Sequence, residues 1–339
     1  MRCDEAKKNS FLESLDCEIR SVKNVCADTI YVGGGTPSVL SGDDISDVIT
    51  LAKNQFCFSD GEITVEANPS SLTFDFADKA ARAGVNRFSL GVQSAIESER
   101  KILGRKSSAE EIKEKIFLLK SLGINNISLD VMLGVPGQTL SSLKETLEFC
   151  IKADVKHVSA YILKIEEGTF FFRSRDKLSF PDEDMTSQMY EFTCDHLRQN
   201  GFCQYEISNF AKEGFESKHN LKYWNCEEYL GFGPSAHSFF EGKRFYHENS
   251  LEKYTENPFD HTDDGEGGSF EEYAMLKLRL SKGLLEDEVQ RDYGFSIPES
   301  LRKNAETFLK NNYVVSDKKG VRLTGKGFLI SNYIISRLI

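Results

Sequence analysis

The sequence predicts an α/β protein: an incomplete parallel βα barrel that lacks its first strand, followed by a small, mainly helical C-terminal domain of winged-helix-like pattern. Three observations predict it. Short apolar, β-branched runs alternate with helical stretches up to about residue 165. Polar and glycine-rich residues gather where those runs end, at the strand ends where folds of this class place their sites. And the chain opens on a helix, where a βα barrel opens on a strand.

The elements follow in order. Residues 9–23 carry Phe11, Leu12, Leu15, Ile19 and Val22 at helical spacing. Thr29-Ile30-Tyr31-Val32 reads as a buried strand running into Gly33-Gly34-Gly35. Helices are expected over 43–55, 73–83 (closing at Gly84), 108–122 (capped by Ser107 or Ser108), 140–153 and 183–199. Strands are expected at Ile63–Glu66, Arg87–Val92, Asn126–Asp130, His157–Ile162 and near Gln204–Ile207. The polar segment 257–269, with Pro258, Asp263, Asp264, Gly265, Gly267 and Gly268, reads as a linker. The expected division is a barrel core over 1–200, a connecting region over 201–256, the linker, and a C-terminal domain over 270–339. With the first strand absent, the flank near Ile30 and Val32 is expected to expose apolar surface.

Composition narrows the function. The 339 residues allow one large domain and a smaller one, and a hydrophobic share of 40% is that of a globular protein. A net charge of -11 argues against bulk attraction to nucleic acid or anionic membrane. No apolar run is long enough to span a bilayer, so no membrane insertion is expected. The polar N-terminus shows no signal peptide, and a cytoplasmic location is the default. Eight cysteines form no CxxC pair, and most are expected as buried thiols, as in Phe56-Cys57-Phe58.

Gly33-Gly34-Gly35-Thr36-Pro37-Ser38 follows a strand directly. Such a run lets a charged ligand approach the backbone, and it is not a Walker loop because no GK[ST] follows. Glu66, Gln93 and Asp130 stand at successive strand ends, a placement that core packing alone does not require. A tight turn for the glycines, capped at Ser41 or Asp43, and a surface ion pair for Arg105 are the plainer readings of each taken singly.

Together these strings resemble the radical-SAM proteins of the HemN and HemW type. The resemblance rests on Gly33–Ser38, on Val65-Glu66-Ala67-Asn68-Pro69, and on Asn86–Ser94. It continues through Leu103-Gly104-Arg105, Ser128–Thr139, Glu166-Glu167-Gly168-Thr169, His219–Trp224 and Tyr229–Ser238, in order and over nearly the whole chain. It implies an S-adenosylmethionine site. Gly34, Gly35 and Thr36 would meet the methionyl amino group and Glu66 a ribose or carboxylate. Gln93, Arg105 and Asp130 would supply further contacts, with Arg105 suited to the carboxylate.

The family begins with a strand and a CxxxCxxC loop that binds a [4Fe–4S] cluster. This sequence has no such loop, and Cys3 is the sole thiol near the right place. The missing loop and the missing strand share one cause, for which a truncated start is the expectation. Radical chemistry is not expected from the chain as written. The string His219-Asn220-x-x-Tyr223-Trp224 resembles one associated with haem in HemW, with His219 as iron ligand and Tyr223 and Trp224 as apolar walls; His237 is a second candidate. The plainer alternative makes His219 a helix cap and Trp224 core. The implied function is a haem chaperone that binds haem and passes it to an acceptor protein. Oxygen-independent coproporphyrinogen III oxidation is the alternative.

Overall fold

The computed structural model describes residues 4–339. Cys3 lies outside them. In chain order the elements are α1 (Glu5–Ser21), β1 (Thr29–Val32), α2 (Gly42–Gln55), β2 (Glu62–Ala67), α3 (Phe74–Ala83), β3 (Arg87–Gln93), α4 (Glu97–Ile102), α5 (Ala109–Ser121), β4 (Asn126–Leu133), α6 (Leu140–Lys152), β5 (His157–Ile162), α7 (Phe170–Ser174) and α8 (Glu183–Gln199). Then come β6 (Cys203–Gln204), β7 (Asn209–Ala211), α9 (Lys218–Trp224), β8 (His237–Phe240), β9 (Lys243–Tyr246), α10 (Leu251–Glu256) and β10 (Thr262–Glu266). The chain ends with α11 (Phe270–Lys277), β11 (Leu284–Leu285), α12 (Glu286–Tyr293), α13 (Glu299–Leu309), β12 (Val314–Asp317), β13 (Gly320–Leu323), α14 (Gly325–Leu329) and α15 (Ser331–Leu338). The main sheet has the strand order β1-β2-β3-β4-β5-β7-β6. β1 is parallel to β2, and β3, β4 and β5 are parallel to one another, while β7 and β6 join antiparallel.

The chain divides into two compact units, each discontinuous in sequence. The first comprises the chain up to Val65, Thr73–Asn86 and Ser217–Leu276. Its core gathers Leu15 and Ile19 of α1 with Ala52 and Phe56, against which Phe11, Val25, Ala27 and Ile30 pack. The buried Glu18 carboxylate ties three parts of this unit together. It accepts from Gly233 N at 3.1 Å and from the Tyr254 hydroxyl at 2.6 Å, and meets His247 Nε2 at 2.6 Å. α2 starts on a capping box, Ser41 with Asp44, which satisfies two orphan amides of the first turn.

Two expectations are corrected in this unit. The flank of β1 is not a bare apolar patch: Ile30 packs into the α1 cluster, and Thr29 and Tyr31 meet α9. All four residues of β1 are half-buried. Nor is 257–269 wholly a linker, because Thr262–Glu266 pair with β9 in a three-stranded sheet, β10-β9-β8.

The second unit comprises Glu66–Leu72, Arg87–Glu216 and Lys277–Ile339. Its parallel strands alternate strictly. Phe88, Leu90, Ile127, Leu129, Val131 and Val158 are fully buried on one face. Each contributes on the order of 1.5–3 kcal/mol by leaving water. The opposite face carries Arg87, Ser89, Gly91, Ser128, Asp130, His157 and Ser159. Polar groups there are stable only when hydrogen-bonded. His157 accordingly holds Ser128 Oγ at 2.7 Å on Nδ1 and the Tyr205 hydroxyl at 2.8 Å on Nε2. Burial drives its pKa well below the usual histidine value, so the ring is neutral. From β11 onward this unit runs strand–helix–helix–strand–strand, with sheet order β11-β13-β12, a winged-helix-like pattern.

The cysteines depart from expectation. Cys150 and Cys194 are buried, but Cys17, Cys26, Cys57 and Cys203 are exposed. Cys57 sits in left-handed backbone at φ 46° between two phenylalanines. A residue so placed turns away from the surface its neighbours bury.

Candidate functional site

In the second unit the polar strand ends converge at Gly91. β3 and β4 run in parallel register with Gly91 opposite Asp130, and the register slips between Gly91 and Gln93. Gln93 closes that bulge at φ 69°, a left-handed conformation that costs a residue with a side chain about 1 kcal/mol. A Cβ on Gly91 would stand 3.3 Å from Gln93 Nε2 and 3.5 Å from Arg105 Nη2. Both side chains therefore lie over a glycine, and a Cβ there would press on the Gln93 amide while meeting Arg105 at ordinary contact distance. Gln93 Oε1 is buried without a partner among the described residues. Arg105 is half-buried and makes no ion pair among the described residues, so the surface salt bridge is not found. An orphaned acceptor beside an unpaired cation is an arrangement suited to a zwitterionic ligand.

Asp130 accepts from Ser89 Oγ at 3.1 Å. Burial first, and repulsion by the Glu66 carboxylate, push its pKa up to about 6. Glu66, Gln93, Arg105 and Asp130 thus belong to one neighbourhood.

The residues that hold this neighbourhood were not singled out by sequence. Arg100 is buried, and donates from Nε to Ser107 O and from Nη1 to Ser94 O, both at 2.9 Å. It clamps the two ends of the segment that carries Arg105. Glu99 accepts from Ser94 Oγ at 2.6 Å and from Gln138 Nε2 at 3.3 Å. Gln138 in turn accepts from Gly134 N at 2.7 Å and donates to Met132 O at 3.0 Å, which fixes the turn after β4. Strict alternation of polar residues along β3, β4 and β5 was the available signal for the polar face.

The first unit holds the other candidates. Gly34 and Gly35 have φ of 78° and 58°, and a Cβ at either would meet nothing within 4 Å. Open space lies beside them, and their backbone favours glycine for its sign of φ rather than for crowding. Thr36 precedes the 3₁₀ turn Pro37–Val39 and its hydroxyl makes no capping bond there.

α9 carries the His219-Asn220-x-x-Tyr223-Trp224 string. Its cap is Ser217, not His219. The buried Glu62 carboxylate holds its first turn, accepting from Lys218 N and His219 N, each at 3.1 Å. His219 Nδ1 meets Thr29 Oγ1 at 2.8 Å and Nε2 meets the Tyr223 hydroxyl at 2.8 Å. The ring stacks on Tyr31 with centroids 5.1 Å apart, and Tyr223 stands edge-on to Tyr229 at 4.5 Å. Trp224 is half-buried. His237 is exposed and stacks on Tyr246 at 5.0 Å. Among the described residues no helix is long and apolar enough to cross a membrane.

Fold and motifs define a radical-SAM scaffold with a HemN-type C-terminal domain. The Radical SAM superfamily matches residues 8–150 and the HemN C-terminal domain residues 270–330. A Lactococcus lactis protein named heme chaperone HemW is 32% identical over 339 residues, 96% of this chain and 89% of its own. The heme chaperone HemW of Bacillus subtilis is 34% identical over 299 residues, 84% of this chain and 79% of its own. The solved coproporphyrinogen III oxidase HemN of Escherichia coli, a radical SAM enzyme, superposes with a TM-score of 0.83 over 99% of this chain and 84% of its own. At 20% identity that likeness shows the fold alone. The chain belongs to the HemW family of radical-SAM proteins.

That family implies a [4Fe–4S] cluster, and the residues present do not fit one. The sequence contains no CxxxCxxC, and among the described residues no three histidine, cysteine or carboxylate side chains are grouped to hold a metal.

Proposed function

We propose that this chain is a haem chaperone, which binds haem and passes it to an acceptor protein, on a scaffold that binds S-adenosylmethionine. The observation that carries the reading is sequence identity over 96% of the chain to a relative named for that function. The geometry of α9 supports it. In the tautomer that donates from Nδ1 to Thr29, His219 Nε2 would accept from the Tyr223 hydroxyl. A neutral imidazole with its far nitrogen so held is the form that ligates iron. Haem would displace Tyr223, whose ring, 36% exposed, can move aside and flank the porphyrin.

S-adenosylmethionine suits the chemistry of the other residues. Arg105 would pair with its carboxylate and the orphaned Gln93 Oε1 would accept from its ammonium or amine. Glu66 and Asp130 would accept from ribose hydroxyls. Bound, the cofactor supplies a sulfonium and a carboxylate; this chain's part is to bind and orient them.

The test is transfer. The haem-loaded chain is mixed with an apo-globin, and holo-globin is followed by its visible spectrum. The reading expects saturable haem loading, then transfer. Absence of haem loading, or decarboxylation of coproporphyrinogen III in its place, would overturn it.

A further inference from the structure

Two of the exposed cysteines are neighbours. Residues 22–28, between α1 and β1, run against residues 55–62, between α2 and β2. Gln55 Nε2 donates to Val22 O, Ala27 N donates to Phe56 O at 2.9 Å, and Glu62 N donates to Asp28 O at 3.2 Å. Val25 and Ala27 pack toward the α1 core, as does the buried Phe56. The residues between and after them, Cys26 and Cys57, are left on the solvent side, and both are exposed. Their thiols interact: hydrogen bonding to Cys57 is the first cause that holds the Cys26 thiol above its ordinary pKa. The two segments are pinned by backbone bonds and by the core, so the thiols stay paired without ordering anything further.

We propose that Cys26 and Cys57 are a reversible dithiol–disulfide site that exchanges with small-molecule disulfides such as glutathione disulfide. One protein thiolate attacks the glutathione disulfide, breaking its S–S bond and releasing one glutathione thiolate. The second protein thiolate attacks the resulting mixed disulfide, forms the Cys26–Cys57 bond and releases the second glutathione. Two protein thiols are oxidised, one glutathione disulfide is reduced to two thiols, and the two thiol protons pass to the departing glutathiones. The site has a structural outlet. Asp28, two residues on, pairs with Lys222 of α9 at 2.9 Å, and Thr29 holds His219. The disulfide therefore staples the segment from which α9 is held.

The experiment equilibrates the purified chain in glutathione buffers of increasing oxidation, alkylates the remaining thiols and maps tryptic peptides. Cleavage after Lys53 separates Cys26 from Cys57. A linked pair of those peptides, lighter than their sum by two hydrogens, is expected in buffers where the exposed Cys17 and Cys203 remain alkylatable. The linked form is expected to melt several degrees higher than the reduced form, a shift that Cys26→Ser and Cys57→Ser each abolish. Separate glutathione adducts at both cysteines, or linkage of either to Cys17 or Cys203, would overturn the assignment. A linked pair with an unmoved melting temperature would overturn the stapling.

Discussion

Arg105 and Asp130 stand in one neighbourhood but do different work, and their variants separate. Arg105 makes no ion pair among the described residues, so Arg105→Ala should leave the melting temperature within about 1 °C. A charge-assisted hydrogen bond contributes roughly 1.5–3 kcal/mol, so the same variant should weaken S-adenosylmethionine binding at least about tenfold by calorimetry. Equal affinity would remove Arg105 from the site. Asp130 titrates at about 6, above its unfolded value. Its stabilising contribution is therefore complete below the unfolded pKa and is lost as pH rises through about 6. Ligand affinity should run the other way, because ribose hydroxyls need the carboxylate. Asp130→Asn should melt higher than wild type at pH 8 and bind without a pH step near 6. At this scale the motif residues were legible, because their types and strand-end positions carry the signal. Glu99 and Arg100 were not, since adjacent charges on a short helix read as solvent-facing until the structure buries them.

Among the elements, α9 depends on a carboxylate from β2. Glu62 accepts from two amides of its first turn and is buried. Glu62→Ala strands those donors and should cost about 2–3 kcal/mol, read as a fall in melting temperature of several degrees. Glu62→Gln should recover part of it. A wild-type melting temperature in Glu62→Ala would show that α9 is held by other contacts. Glu206 offers a second test. Burial raises it to about 7, so its stabilising contribution is present in acid and is lost as pH rises through neutrality. Stability should fall as pH rises from about 4.5 to about 7, and Glu206→Gln should flatten that slope in thermal melts.

Helices were the more legible elements. The expected 183–199 helix is α8, bounded as read, because apolar period and an Asp182 cap agree. β10 was missed because Asp263, Asp264 and Gly265 have turn composition and pair only through a non-local partner. The strand expected over Gln204–Ile207 is shortened to Cys203–Gln204. There the Glu206 carboxylate accepts from Ser208 N and bends the chain.

For the whole molecule, the alternation of strands and helices predicted the parallel βα order, and the structure has it. The two compact units were not legible. They interleave segments from both halves of the chain, while a linear reading cuts sequence at polar stretches. The expected exposure of Ile30 failed for a similar reason, since the α1 cluster against which it packs comes from segments whose packing no local pattern states. Membership of the HemW family makes haem the ligand on which the account rests. The most direct measurement is a Soret titration of haem into the wild-type chain and His219→Ala, with Cys226→Ala as control. The account predicts a saturable Soret shift for wild type and Cys226→Ala, weakened at least about tenfold in His219→Ala. An unchanged spectrum and affinity in His219→Ala would contradict the assignment of the iron ligand, and no shift in wild type would contradict haem binding by this chain.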